Sequence, residues 1–263
     1  VMASDFRFAV GIRSARSRAQ LQETAWRYED LGFDVLNIPD HLGAPAPFPV
    51  LAAVAQSTSS IRLGTYVMNA AFYSPALLAR DAAGVHALSD GRLDLGLGAG
   101  YVREEFEAAE IPFPSAGARV AHLEHVAEHL CRHHPDIRLL IAGSGDKVLT
   151  VAARHADIVG LTGTDRIDLV RTAAGERFAD LVLDLAITAM PSDNSGMPDL
   201  SMTRQYAPGL SDERLLALPG VLSGTPRDVA DRLRQLRAED GISSFSIQSK
   251  DDAFFAKVIA ELR

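Results

Sequence analysis

The 263-residue sequence contains one cysteine, Cys131, so it can form no intramolecular disulfide. A lone thiol in a chain of this size fits a reducing compartment. No apolar run approaches the ~18 residues that a membrane span requires. Acidic residues outnumber basic ones, 34 to 26, and the net charge is −8. That balance leaves no basic footprint for nucleic acid and disfavours an anionic membrane surface. HExxH, CxxC and GxSxG are all missing, which removes the common zinc and hydrolase readings. The stretch VMASDFRFAV shows no basic region followed by an apolar core, so no signal peptide is visible, and a cytoplasmic location is expected.

What is present is alternation. FRFAVGI, DVLNIPD, IRLGTYVMNA, RLDLGLGAG, IRLLIAG, DIVGLTG, VLDLAITAM and SFSIQS read as short, almost continuously apolar strands. Between them run helical patterns. SRAQLQETAWRYEDLG has Leu21, Ala25, Trp26 and Leu31 at helical spacing, Ser17 as N-cap and Gly32 as stop. PALLARDAAGVHALS opens with Pro75 near its start. Strands buried on both faces and separated by helices make a parallel sheet. About eight such units in ~250 residues point to a (β/α)8 barrel, with an open doubly wound sheet as the alternative. No Pro-, Gly- or Ser-rich linker divides residues 1–263, so one domain is expected. The loosest segment, residues 189–213, reads as a long loop over the barrel mouth.

A barrel places its chemistry at the C-terminal ends of its strands. Asp40 and His41 stand at one such end, in NIPDHLG, where a histidine can exchange a proton near neutral pH. Tyr66 to Asn69 stand at another. SDGRLDLGLGAGYVREEF ends a strand in glycines. It is not a dinucleotide fingerprint, because the third glycine would fall on Tyr101 or Arg103. Its glycines serve either tight packing at the rim or the close approach of a flat ring. IAGSGDKVL carries Gly143, Ser144 and Gly145 into a helix start, which is either a plain turn or an anion site. His122, His125, His129 and His133 stack along one helix at i, i+4 spacing. The preferred reading there is a solvated face, and no metal is assigned.

Taken together, AWRYEDLGFDVLNIPDH, SIRLGTYVMNAAFYSPALLARDAAGVHALSDGRLDLGLGAGYVREEF, LLIAGSGDKVLTVAARHADIVGL and VLSGTPRDVADRLRQLRAEDG resemble the luciferase-like monooxygenase superfamily. Within it they resemble the coenzyme F420-dependent oxidoreductases. The resemblance spans nearly the whole chain and implies the luciferase-like (β/α)8 TIM barrel, with a deazaflavin or flavin across its mouth. It places His41 beside the reacting ring with Asp40, and Tyr66 and Val67 in a bulge behind the ring, with a non-proline cis peptide between them. It sets Asn69, Ala99, Gly100 and Tyr101 along the ring and its tail, and Gly143, Ser144 and Gly145 around a phosphate. On this reading GLGAG is glycine-rich so that the ring can lie on bare backbone.

The implied activity is hydride transfer between F420 and a small, fairly apolar organic molecule. The alternatives are an FMN-dependent monooxygenase and a barrel that binds a ligand without turnover. Tyr101 stands where some F420 reductases carry an acid, and a phenol is a poor acid at neutral pH. Relatives also carry an insertion before the fifth strand. Here HLCRHHPDIRLL leaves no room for it, so a more open cleft is expected. Helices near 48–58 and 75–88, rich in Ala, Val and Leu, are expected to pair two copies of the chain as a homodimer.

Overall fold

The computed structural model describes residues 6–193, 195–248 and 252–263. Strands β1 (Arg7–Gly11), β2 (Val35–Ile38) and β3 (Arg62–Thr65) alternate with helices α1 (Arg18–Asp30) and α2 (Pro47–Ala55). β4 (Met68–Asn69), α3 (Pro75–Leu88), β5 (Leu93–Gly98), α4 (Arg103–Ala108) and α5 (Ala116–His133) follow. Then come β6 (Arg138–Ala142), α6 (Asp146–His155), β7 (Ile158–Leu161), α7 (Ile167–Ala174) and β8 (Val182–Ala186). The chain closes with α8 (Ser201–Tyr206), α9 (Asp212–Leu216), α10 (Pro226–Asp240), β9 (Ile242–Gln248) and α11 (Asp252–Leu262).

All strand pairings are parallel, in the order β3-β2-β1-β9-β8-β7-β6-β5-β4. β3 also pairs with β5, which closes the ring and rules out the open sheet. β3 and β4 are two halves of one barrel strand, so the barrel has eight. Gly64 lies opposite Asp94 whereas Met68 lies opposite Leu97. One extra residue is therefore taken up between the halves, as in a β-bulge. The Tyr66–Val67 peptide inside that bulge is cis, as the resemblance implied.

Alternation along the strands sorts side chains into two layers. Phe8, Val10, Leu36, Leu63, Leu95, Ile141, Leu185 and Phe245 face outward into the core shared with the helices. The inward residues include Val35, Leu140 and Ile158, and among them sits a cluster of polar and charged side chains. Asp94 accepts from Arg62 at 2.7 and 2.9 Å and from Arg7. Asp184 accepts from Ser244 (2.7 Å), Ser246 (3.1 Å) and the Tyr66 hydroxyl (2.9 Å). Toward the mouth the inward positions shrink to Gly11, Gly98, Ala142, Gly160 and Ala186. The interior thus has a mixed apolar and charged base below and a shallow floor of small residues above.

Local signals explain the helix ends. Ser17 accepts from the Gln20 N–H and caps α1, and Gly32 after it has φ +82°. Thr225 and Asp228 form a capping box at the start of α10. Trp26 departs from expectation. It is exposed on α1, its indole N–H donating to the Ser57 carbonyl, and Tyr28 fills the buried stripe instead. The segment 189–213 is not bare loop, since it contains α8 and the start of α9. From α5 the chain turns directly into β6, with the His134 N–H on Leu130 O at 2.8 Å and the Ile137 N–H on His134 O at 3.1 Å.

Glu29 ties α1 to the turn before β3. Its carboxylate accepts from the N–H groups of Ser59 (3.1 Å) and Ile61 (2.9 Å), from the Ser60 N–H, and from the Ser60 hydroxyl (2.7 Å). Burial alone would raise its pKa, but these donors together hold it down at about 2. The stability this confers is complete above the ordinary value of 4.5 and fades as pH falls through 2. Screening at this partly exposed site leaves about 1 kcal/mol. Glu29→Gln is therefore expected to lower the urea midpoint at pH 7 and to match the parent near pH 2.

Candidate active site at the barrel mouth

Asp40 follows β2 and is held from two sides. Its carboxylate accepts from the Asn69 N–H at 3.0 Å and from the Tyr73 hydroxyl. Burial raises its pKa, opposed by those two donors and by His41. Asn69 turns its own side chain to cap the turn that follows, accepting from the Ala71 N–H at 3.1 Å. The β3–β4 bulge therefore orients Asp40 through its backbone.

His41 is 45% exposed, and its Nδ1 lies 2.8 Å from Oε1 of Glu105. The other ring nitrogen is left for the mouth. Glu105 sits in the first turn of α4, where the helix dipole favours a carboxylate. α4 is anchored by Phe106, fully buried edge-on between Phe72 and Phe113 at 4.9 Å from each. Arg103 and Arg119 cover the Phe113 ring, and Arg119 donates to Gly100 O at 2.9 Å. These contacts fix the loop 99–102 and the helix that presents Glu105. Sequence reasoning gave Glu105 no role, although it is the glutamate that closes the glycine-rich motif.

Tyr101 is 69% exposed at the rim. Burial of part of its ring and the nearby Tyr206 and Glu105 raise its pKa, while Arg13 lowers it. It is thus a still weaker acid than a free phenol, suited to contact or hydrogen bonding. Tyr66 points down rather than toward the mouth, with its hydroxyl on Asp184. Burial and that carboxylate raise its pKa well above the usual phenol value, so Tyr66 contributes a neutral ring beneath the floor.

Of the two reasons expected for the glycines of GLGAG, tight packing is visible in the structure. A Cβ on Gly96 would stand 2.0 Å from Thr65 O, and one on Gly98 would stand 2.8 Å from the Val67 side chain. Gly100, at φ +74°, would meet Asn69 Oδ1 at 2.1 Å. What lies against this backbone is the β3–β4 bulge. The packing reading therefore holds at these three positions, and the glycines serve a ring only by letting the bulge settle under the mouth beside Ala99.

Gly143, Ser144 and Gly145 lead from β6 into α6, whose start has no side-chain cap. Gly143 is small because a Cβ would meet Val148 Cγ1 at 2.7 Å, whereas a Cβ on Gly145 would enter open space. A groove of about 120 Å³ lies here, lined by Gly143, Ser144, Leu149, Leu161, Thr162, Gly163, Asp165 and Arg166. An uncapped helix start and open space at Gly145 suit a phosphate, while the Arg166 guanidinium is held by Asp146 and Asp165 at 2.8 Å each. The small-residue floor suits a flat ring. The residues present therefore fit a flavin or deazaflavin phosphate. The α5 histidines lie elsewhere: His122 is taken up by Tyr73 O at 2.9 Å, and His133 is exposed on the outer face.

The closed parallel barrel thus carries the His41–Glu105 pair at one strand end and an uncapped helix start at another. The family model described as luciferase-like monooxygenase matches residues 2–195, and the chain belongs to that family. The F420-dependent glucose-6-phosphate dehydrogenase of Intrasporangium calvum is 34% identical over 135 residues, 47% of this chain and 40% of that protein. The enzyme of the same name from Kribbella flavida is 33% identical over 117 residues, 41% of this chain and 35% of that protein. The match thus spans well under half the length of these relatives. The F420-dependent tetrahydromethanopterin reductase of Methanopyrus kandleri superposes with a TM-score of 0.77 at 18% identity, covering 99% of this chain and 100% of that one. An F420-dependent secondary alcohol dehydrogenase gives 0.79 at 15% identity, with coverage of 99% and 100%.

Proposed function

We propose that the protein is an F420-dependent oxidoreductase that transfers a hydride between the deazaflavin and a small organic substrate. The observation that carries this reading is the His41–Glu105 pair at 2.8 Å, on the same barrel mouth as the phosphate cradle after β6. Identity to the F420-dependent relatives supports the cofactor class. The cofactor, when bound, supplies the hydride chemistry at its ring. The chain's own groups do the rest. Glu105 holds Nδ1 of His41, leaving Nε2 free to move the proton that accompanies the hydride. Asp40, buried and braced by Asn69 and Tyr73, fixes the strand end that carries His41. Tyr101 and Ala99 form the exposed side of the cleft, and Gly143, Ser144 and Gly145 take the phosphate.

The second reading, FMN with oxygen, is favoured by a flavin-dependent trigonelline monooxygenase of Acinetobacter baylyi that is 42% identical over 64 residues, 24% of this chain and 18% of that protein. Fluorescence-quenching titrations with F420 and FMN side by side separate the two. Tight F420 and weak FMN binding is the expected result, and the converse overturns the first reading.

The same reading includes a homodimer. α3 exposes Leu77 and Leu88, α2 exposes Pro49 and Ala53, and α1 exposes Trp26. Three neighbouring helices thus share an apolar outer face, the mark of an interface. Light scattering at micromolar concentration is expected to give twice the 28.2 kDa chain mass. Leu77→Glu is expected to return it to the monomer. A parent that runs as a monomer counts against the pairing.

A further inference from the structure

We propose that Glu124 and Glu128 of α5, with His155 of α6, form a binding site for a divalent metal ion of the zinc type on the outer face of the barrel. The histidines of α5 fit a solvated helix face, and the imidazole of this site comes instead from the next helix. Glu124 and Glu128 stand one turn apart, so their carboxylates share a face. His155 is the last residue of α6. One ligand atom from each of the three lies within 4.8 Å of the other two. Nε2 of His155 is 3.4 Å from Oε1 of Glu124, which is long for a hydrogen bond. The same spacing matches the edge of a tetrahedron around zinc, ~3.3–3.5 Å for bonds of ~2.0–2.2 Å.

The chemistry of the set selects the ion. Two carboxylates at i, i+4 repel each other, and a dication between them removes that cost and brings the net charge to zero. An imidazole among the ligands favours zinc and its transition-metal neighbours over magnesium and calcium, which take oxygen. Three protein ligands leave a fourth position for water. The end of α6 is held in advance. Cys131 donates to the His155 carbonyl at 3.3 Å, and Arg177 donates to the carbonyls of Ala153 (2.6 Å) and Ala156 (2.9 Å). Little ordering of the backbone therefore remains for the ion to impose. The His155 and Glu124 side chains are mostly buried, while Glu128 is exposed and gives the ion its entry path. Arg154 opposes binding, because its guanidinium lies 3.4 Å from the same Glu124 oxygen, but it is 58% exposed and can turn into solvent. His155 lies nine residues beyond Asp146, about 14 Å of helix from the mouth. The ion thus braces α5 against α6, and the site stands apart from the F420 reading.

The test is calorimetric titration of the EDTA-treated, dialysed full chain with zinc chloride. One tightly bound zinc per chain is expected, and excess magnesium is expected not to displace it. His155→Ala and Glu128→Gln are each expected to weaken binding more than ~100-fold, since even the partners of metal ligands are worth about 10–100-fold. Arg154→Gln is expected to tighten it severalfold. The rival ligands are His129 and His133 of α5, whose rings lie 4.5 Å apart. His133→Ala is expected to leave the affinity unchanged, and loss of zinc in that variant overturns the proposal. Parent-like affinity in His155→Ala, or no binding by the parent, overturns it as well. Cobalt gives a second measurement. The intense visible absorption of a four-coordinate ion is expected in the parent and not in Glu128→Gln, where only an exposed side chain has changed. Weak absorption of the six-coordinate kind in the parent overturns the assignment. Thermal melts confirm that each variant remains folded.

Discussion

Replacing His41 with alanine is expected to lower turnover about 10²–10⁴-fold, the usual contribution of a positioned acid or base, with cofactor affinity nearly unchanged. The separation follows from the geometry. The proposed phosphate cradle lies after β6, and the floor proposed for the ring is built from Gly11, Gly98, Ala142, Gly160 and Ala186, so neither depends on the imidazole. Glu105 makes the argument sharper. It touches His41 at 2.8 Å and is a positioning residue. Glu105→Ala frees the ring to rotate and is expected to cost about tenfold in turnover. Glu105→Gln keeps an acceptor for Nδ1–H and is expected to recover most of that loss. Stopped-flow reduction or oxidation of bound cofactor, with binding measured separately by quenching, reads both quantities. Full turnover by His41→Ala at saturating cofactor removes His41 from the chemistry.

The parts of this protein that are written locally could be read from its sequence. Ser17 before a helical pattern, Pro75 at a helix start and apolar runs of strand length each follow from propensity and capping, and the structure uses each of them. Length and repetition then selected the closed barrel. The parts that depend on distant pairs were not legible. His41 and Glu105 are 64 residues apart, and Tyr66 and Asp184 are 118 apart. Nothing local marks either partner. The packing reason for GLGAG was hidden in the same way, because Thr65, Val67 and Asn69, which crowd positions 96, 98 and 100, come from another strand. A signal did exist for the barrel interior. Arg7, Arg62, Asp94, Asp184 and Ser244 interrupt apolar strands at inward positions, with small residues two places on. That period of two separates an inner layer bearing these charges from the helix-packed outer one.

The inner layer gives the largest stability effect. Asp94 is 3% exposed and lies between the guanidinium groups of Arg7 and Arg62. Asp94→Ala is expected to destabilise the fold by about 3–5 kcal/mol, because it strands two cations inside the barrel. That is a large share of the 5–15 kcal/mol typical of a whole domain. The two arginines do not suffer equally. Arg62 keeps the Gly91 and Leu93 carbonyls at 3.4 and 3.2 Å, whereas Arg7, among the described residues, keeps Ser244 Oγ at 3.5 Å and the attraction of the buried Asp184 carboxylate. Arg7 thus keeps an anion that Arg62 lacks, and adding Arg62→Met to Asp94→Ala is expected to recover more stability than adding Arg7→Met, which takes a cation away from Asp184. Replacing all three by apolar residues of similar volume is expected to recover part of the loss, short of neutral, since Asp184 stays buried without the Arg7 cation. Urea midpoints of the four variants measure these differences. A loss below about 1 kcal/mol in Asp94→Ala would show that water reaches the base of the barrel and solvates both guanidinium groups.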